Sequence, residues 1–593
     1  MIDFPGSPTD GQQFTAGGNT WYWSAATGAW LLVASTATGP TGPTGPAGAT
    51  GATGATGAGW TVYQTTGFVS SGGATGFNYA AGYLALNGTG PTGGGNIGVG
   101  AYTLESVTTG VNNIAIGGQA LTDVTTGTRN VAFGFRALGG SPDYLSVPGL
   151  TTGSFNTAIG HYSLGITTGD KNTAVGENAS FYNTTGSYNT FIGSYAGYIN
   201  LSGNFNIAIG KDSMNPGTYP GVGSATGDNN IAIGQRTLSY LTSGNGNIAI
   251  GNDALSNVTD NGGQVAIGPS ALKTFFGPGG NPPNVAIGQE ALFALTTGSG
   301  NVAIGYYAGR DLTTGGGNVL FGANAGENLT TSSNNVAIGV QALNTATTAA
   351  NNVAIGQDTL KNSTSGANNT AIGASSLDAN TSGSNNVGIG WNALTSNTTG
   401  INNTAIGAGG LQSNITGSNN IAIGNGAGLG ITSGNENTII GTEAGGTLTT
   451  GSNNTILGYD AEPSSVTVSN EITLGNSSIA TIRAQVTTIT SLSDARDKKD
   501  IKPLKHGLEF VNLLNPVEFT WDMRDGGKVG VPDMGFIAQE LASLEDVINA
   551  HETLQLTYRS NPDKLEASYG RLIPILVNAI KQLSARVAEL EKE

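Results

Sequence analysis

A glycine-ended motif, NNVAIG or a close variant of it, returns along this chain with a step of 17 residues. From Gly305 to Gly475 the last glycine of the motif recurs at every such step, and the same step links Gly100, Gly117 and Gly134. It also links Gly176, Gly193 and Gly210, then Gly234, Gly251 and Gly268. Steps such as 134 to 160 and 210 to 234 are longer, and stretches such as SPDYLSVPG read as loops inserted between units. A fixed period of this kind is the signature of a solenoid, in which each unit stacks only on its neighbours.

The unit is strand-like. In Ile114-Ala115-Ile116 and Val336-Ala337-Ile338 branched residues alternate with alanine, a period of two. The Val and Ile are expected to point into the coil. Ala342-Leu343 supplies a second apolar patch, while Asn-Asn and Thr-Thr-Gly supply corners. Such a unit suits one coil with two short strands. The paired asparagines, Asn334-Asn335 and their equivalents, are expected to stack as side-chain ladders. The 22 motif glycines, at about 4.8 Å per stacked strand, give a rod of roughly 100 Å.

Composition supports repeats over disorder. Only 10% of residues are charged and 96 of 593 are glycine, yet 38% are hydrophobic and recur regularly. A disordered chain would combine low hydrophobicity with high net charge. Cysteine is absent, which removes disulfides, thiolate metal sites and cysteine nucleophiles. The start, MIDFPGSPTDGQQF, lacks the basic and apolar parts of a signal peptide, and no run of about 18 apolar residues is present. No membrane insertion, nucleic-acid partner, metal or cofactor is expected.

Outside the repeats the chain changes character. The run FTAGGNTWYWSAATGAWLLV reads as one or two hairpins, with Trp21, Trp23 and Trp30 forming either a small core or a docking face. Glycine then holds every third position from Gly39 to Gly57. That spacing is required where three chains meet at an axis too crowded for a side chain, as in collagen. Residues 493–593 hold 13 Lys+Arg and 17 Asp+Glu, half of all the charges in the chain, so a conventional globular segment begins there. Near its end Ile573, Leu576, Ile580, Leu583, Val587 and Leu590 step by three and four, a heptad seam. Ile or Val alternating with Leu often favours two-stranded coils. The glycine triplets have no two-chain explanation, and they decide for three.

Three resemblances follow from these pieces. The first 36 residues resemble N-terminal attachment modules of phage tail-fibre proteins. The NNVAIG repeat is similar to the head of YadA-like trimeric adhesins, a trimeric β-roll, although its period is longer. The tail resembles the intramolecular chaperone domain of endosialidase-type tailspikes through Ser493-Asp494 with Lys498, DIKPL, NPVEFTW, GFIAQEL and the final AIKQL. This last resemblance implies a domain that folds three chains in register and then cuts itself off before a serine. Ser493 would be the nucleophile, Lys498 its base and Leu492–Ser493 the bond cut. A Ser-Lys pair is a known variant of serine-nucleophile chemistry. Ser-Asp ahead of a charged stretch also reads as an ordinary turn or helix N-cap, and Lys499 is the competing base.

The expected fold is therefore mainly β: a trimeric parallel β-roll of 17-residue coils, a collagen-like triple helix, and an α+β chaperone domain ending in a coiled-coil helix. Expected segments are an attachment module at 1–36, a stalk at 37–59, a connector at 60–90, the rod at 91–475, a connector at 476–492 and the chaperone at 493–593. The expected role is a homotrimeric tail fibre of the virion, assembled in the host cytoplasm. Its N-terminus would bind phage tail or baseplate proteins. Its inserted loops, 135–155 and 211–228, would meet a host surface glycan or protein. The only enzymatic activity would be a single self-cleavage. A bacterial surface adhesin and a polysaccharide-degrading tailspike are the alternatives. No carboxylate pair recurs along the rod where a sugar-cleaving site would need one.

Overall fold

The computed structural model describes residues 9–10, 12–16, 19–24, 29–35, 78–86, 92–140, 152–216, 225–479, 481–483, 493–524, 529–559 and 565–592. The glycine triplets, Leu492 and the tips of both inserted loops lie outside them. The chain divides into two compact units, Met1–Thr61 and Val62–Glu593. In the first, β1 (Gln13–Ala16), β2 (Asn19–Ser24) and β3 (Ala29–Ser35) form an antiparallel sheet in that order. The first hairpin pairs Phe14 with Trp21, and the second pairs Trp21 with Leu32 and Trp23 with Trp30.

The second unit contains a parallel solenoid of about 22 turns, built on the strands β4 (Tyr79–Ala81) to β26 (Ile472–Leu474). Each strand has three residues and pairs in parallel with the strand of the next coil, as Val336-Ala337-Ile338 does with Val353-Ala354-Ile355. Register survives the insertions. Between β7 (Val131–Phe133) and β8 (Thr157–Ile159) the extra residues loop out, and Ala132 still faces Ala158. The stack also takes in Tyr79–Ala81, where the motif is too degenerate to read.

The expectation that Val and Ile fill the coil is overturned. The middle residue of each strand points inward: Ala337, Ala354 and Ala371 have no exposure. Flanking residues face outward, and Ile338 and Ile440 are 37% and 41% exposed. A coil this short encloses little space. Most turns fill it with a small inward strand residue and a leucine, such as Ala337 and Leu343. Where the inward residue is large, as at Phe191, Leu320 and Ile439, glycine (Gly197, Gly326 and Gly445) stands at the leucine position and makes room. The second expected strand is also missing. Beyond the three-residue strand the coil is turn backbone, bonded to the next coil by single contacts such as Leu343 N–H to Thr359 O at 2.9 Å.

The asparagine ladder is present and buried. The Asn335 backbone and side-chain amides donate to Asn318 Oδ1 at 3.0 and 3.1 Å. Its side chain also donates to Ala349 O at 3.0 Å, and its own Oδ1 accepts from Asn352. Gln264 takes over where the repeat lacks asparagine. The ladder ends at Glu471, whose N–H donates to Asn454 Oδ1 and whose carboxylate accepts from Ser464. The motif glycine closes the strand. Gly339 has φ +139, and a Cβ there would lie 2.3 Å from Gly356 O, so neither conformation nor space admits a side chain.

C-terminal to the solenoid, β27 (Val517–Asp522) and β28 (Val529–Gly535) form an antiparallel pair. The helices are α1 (Leu508–Val511), α2 (Ala538–Val547), α3 (His551–Leu554) and α4 (Leu572–Leu590), with β29 (Thr557–Tyr558) and β30 (Glu566–Ala567) pairing between α3 and α4. Phe510, Leu554, Leu556, Leu572 and Ile575 form its core. Pro574 sits in the first turn of α4, where its missing N–H costs no helical bond. Among the described residues no helix is long and apolar enough to cross a membrane.

Candidate active site at Ser493 and Lys498

The segment after residue 492 opens with a single 3-10 turn, Ala495–Asp497, capped by Asp494. Asp494 accepts the Arg496 N–H at 2.9 Å and pairs with its guanidinium. Hydrogen bonds from the Arg496 side chain and backbone hold the Asp494 carboxyl below the usual range. The N-cap reading of Ser-Asp is thus met by the aspartate, which leaves the serine side chain for another partner. That partner is Lys498. The turn brings Lys498 back over Ser493, with Nζ 2.5 Å from Oγ and 3.3 Å from the Ser493 carbonyl oxygen. Among the described residues Lys498, rather than Lys499, makes this bond to Ser493.

The arrangement has the parts of a nucleophile and its base: a hydroxyl and an amine in hydrogen-bond contact at the start of the segment. Both side chains are exposed in the single chain. A lysine acts as a base only when its charged form is disfavoured, by burial or by neighbouring cations.

A second polar centre was not read from the sequence. Glu545 of α2 is fully buried. Its carboxylate accepts from Leu556 N–H and Thr557 Oγ1 at 2.5 Å each, from His551 Nδ1 at 2.9 Å and from Arg559 Nη2 at 3.0 Å. Burial pushes its pKa up, but the bonds from Thr557, His551, Leu556 and Arg559 outweigh that and hold it below the usual value. Glu545 ties α2 to α3 and to the β29–β30 hairpin and is structural. In sequence it is one acidic residue of a helix that looks solvated. Nothing local distinguishes it. His161, His506 and His551 do not come together, and no group of metal-binding side chains forms among the described residues.

Comparison with known families finds a likeness at this end of the chain. The profile of the family described as a chaperone of endosialidase matches residues 493–549. The Long tail fiber protein Gp37 of Enterobacteria phage K3 is 37% identical over 102 residues, which is 17% of this chain and 8% of that protein. Its counterpart in Enterobacteria phage T2 is 37% identical over 102 residues, 17% of this chain and 7% of its own. This chain therefore matches less than a tenth of the length of these relatives. No solved structure matches.

Proposed function

We propose that this chain is the subunit of a trimeric phage tail fibre whose residues 493–593 direct assembly and are then cut away. The observation that carries the reading is the junction at Ser493. The chaperone match begins at that residue, and Lys498 Nζ lies on its Oγ at 2.5 Å. Uncharged Lys498 takes the hydroxyl proton as Ser493 Oγ attacks the Leu492 carbonyl carbon. The Leu492–Ser493 C–N bond breaks, the Ser493 nitrogen leaves as an amine after gaining a proton, and an ester joins Leu492 to Oγ. Water hydrolyses the ester, releasing residues 1–492 with a new carboxylate and residues 493–593 with a free serine.

Two exposed apolar faces support association. The outward Val and Ile of the strands form rows along the solenoid, and the α4 seam is open, with Ile573 and Ile580 at 61% and 65% exposure. Uncovered rows of this length belong to an interface. Packing of copies would also bury Lys498, which couples cutting to assembly. In this reading residues 1–36 bind tail or baseplate proteins, residues 37–59 form a collagen-like stalk, and the solenoid presents a receptor-binding surface to the host. Mass spectrometry of the expressed full chain tests it. Two products, 1–492 and 493–593, are expected from the wild type and one intact chain from Ser493→Ala. A wild-type trimer at full mass would refute the cleavage.

A further inference from the structure

We infer that one corner of the solenoid, carrying Arg129, Phe155, Lys171, Tyr188 and Phe205, is a binding ladder for an acidic polysaccharide lying along the rod. The inference rests on the attachment reading and names the class of ligand.

The five residues occupy one place in successive coils, five positions before the motif glycine. The backbone there is left-handed, with φ between 56 and 61° at all five. Elsewhere this row is mostly asparagine or glycine, the residues that accept such a conformation: Asn112, Asn229, Gly246, Asn334, Asn351, Asn368 and others. Exposed asparagines of the row bond one another, Asn402 to Asn419 at 3.1 Å for example. Only from 129 to 205 does the chain place cations and aromatic rings there in unbroken succession. Bulky side chains in this conformation are strained, and no core packing compensates them. Phe155, Tyr188 and Phe205 are 45%, 47% and 54% exposed, and Arg129 and Lys171 are exposed as well. Strain kept at an exposed position argues for function.

The chemistry of the row identifies the occupant. Arg129 lies over the Phe155 ring at 5.1 Å and Lys171 over Tyr188 at 4.6 Å, while Tyr188 and Phe205 stack at 4.8 Å. The side chains thus form a ribbon of alternating charge and apolar ring faces along the axis. Coil-to-coil spacing of about 4.8 Å suits the repeat of a sugar chain, whose apolar ring faces lie on aromatic rings while its acid groups meet the cations. Two of the nine Lys and Arg in residues 1–492 stand on this row, in a chain of net charge −16. Two cations in five coils match acid groups on widely spaced sugars and are too sparse for a nucleic acid, charged at every phosphate.

The test uses the full chain and a panel of uronate-, sialate- and phosphate-bearing polysaccharides, with neutral dextran and single-stranded oligothymidine as controls. Phe155→Asn, Tyr188→Asn and Phe205→Asn are combined, since asparagine is native to this row in sister coils. Expected is retention of at least one acidic polysaccharide, weakened by salt, with at least a tenfold loss in the triple variant at an unchanged or raised melting temperature. Arg129→Gln with Lys171→Gln should lose the acidic ligand and its salt dependence. Overturning results are no acidic polysaccharide bound, equal binding by the triple variant, preference for dextran or oligothymidine, or loss of assembly in the triple variant, which would make the row an interface between copies. Immunogold labelling of phage particles reads the attachment role separately. Labelled particles with an unaffected triple variant refute the ladder alone, and unlabelled particles refute the attachment reading whatever the glycan result.

Discussion

At the scale of single residues, the solenoid depends on one amide per coil. A buried asparagine side chain has two donors and an oxygen with two lone pairs, and Asn335 uses all of them. Asn335→Ala removes the acceptor for both Asn352 donors and opens a gap in the ladder. An unsatisfied buried polar group costs about 1–3 kcal/mol, so a lower melting temperature by circular dichroism is expected, with a larger loss than for Asn334→Ala on the exposed row. Glu545 sets a different dependence. Its folded pKa lies below the usual value, so its contribution is fully present above the unfolded value of about 4.3 and is lost as pH falls through the folded one. The C-terminal segment of uncut Ser493→Ala chain should therefore lose stability in acid, and Glu545→Gln should flatten that limb while lowering stability at neutral pH. An identical acid limb in both chains would refute this role. The ladder was legible in the repeated Asn-Asn, because a residue buried at every turn leaves a periodic trace. Glu545 occurs once, its partners come from α3 and β29, and no spacing reveals it.

The elements show why half of the pattern could be read. A period of two separates two faces of a strand but does not say which is inside. Choosing the larger residues as core is sound for a sheet packed on another layer. It fails in a coil whose narrow width mostly pairs a small inward residue with a leucine, as Ala405 and Leu411 show, and takes a large one such as Ile439 only where glycine replaces that leucine. The period, parallel pairing and corners were legible because they depend on sequence distance alone. The inside was not, because it depends on coil width. The outward rows yield a prediction. Ile406, Ile423 and Ile440 lie in successive coils, each 38–41% exposed. Ile406→Lys, Ile423→Lys and Ile440→Lys together leave alanine, leucine and asparagine inside untouched. The β signal should persist while sedimentation velocity shows the triple variant as a single chain and the parent as a trimer. A trimeric variant would place the interface elsewhere.

For the whole molecule, the difficulty is register. Coils of one length and nearly one sequence can stack against a neighbouring copy in many alignments, and a slip by one coil buries almost the same side chains. In the proposed assembly, three chains that meet first through the tail would not need to search. The α4 seam from Ile573 to Leu590 is exposed on the single chain and is unique in sequence, so it can pair in one alignment and start the solenoids level. On the proposed reading, the cut at Leu492–Ser493 then removes the segment that set the register. The fibre so finished would be held by the rate of its unfolding rather than by an equilibrium it can revisit. The cut therefore makes a specific difference that the native contacts of the rod do not. Split wild-type fibre and uncut Ser493→Ala fibre should resist guanidinium alike at first, since their rods are the same. After complete denaturation and dilution, the uncut chains should regain the trimer by sedimentation, and residues 1–492 should aggregate or form species of mixed register. Lys498→Ala should behave as Ser493→Ala does, while Lys499→Ala should be cut and fail to refold. Equal refolding of cut and uncut chains would show that the solenoid finds its own register, and the tail would then need another purpose.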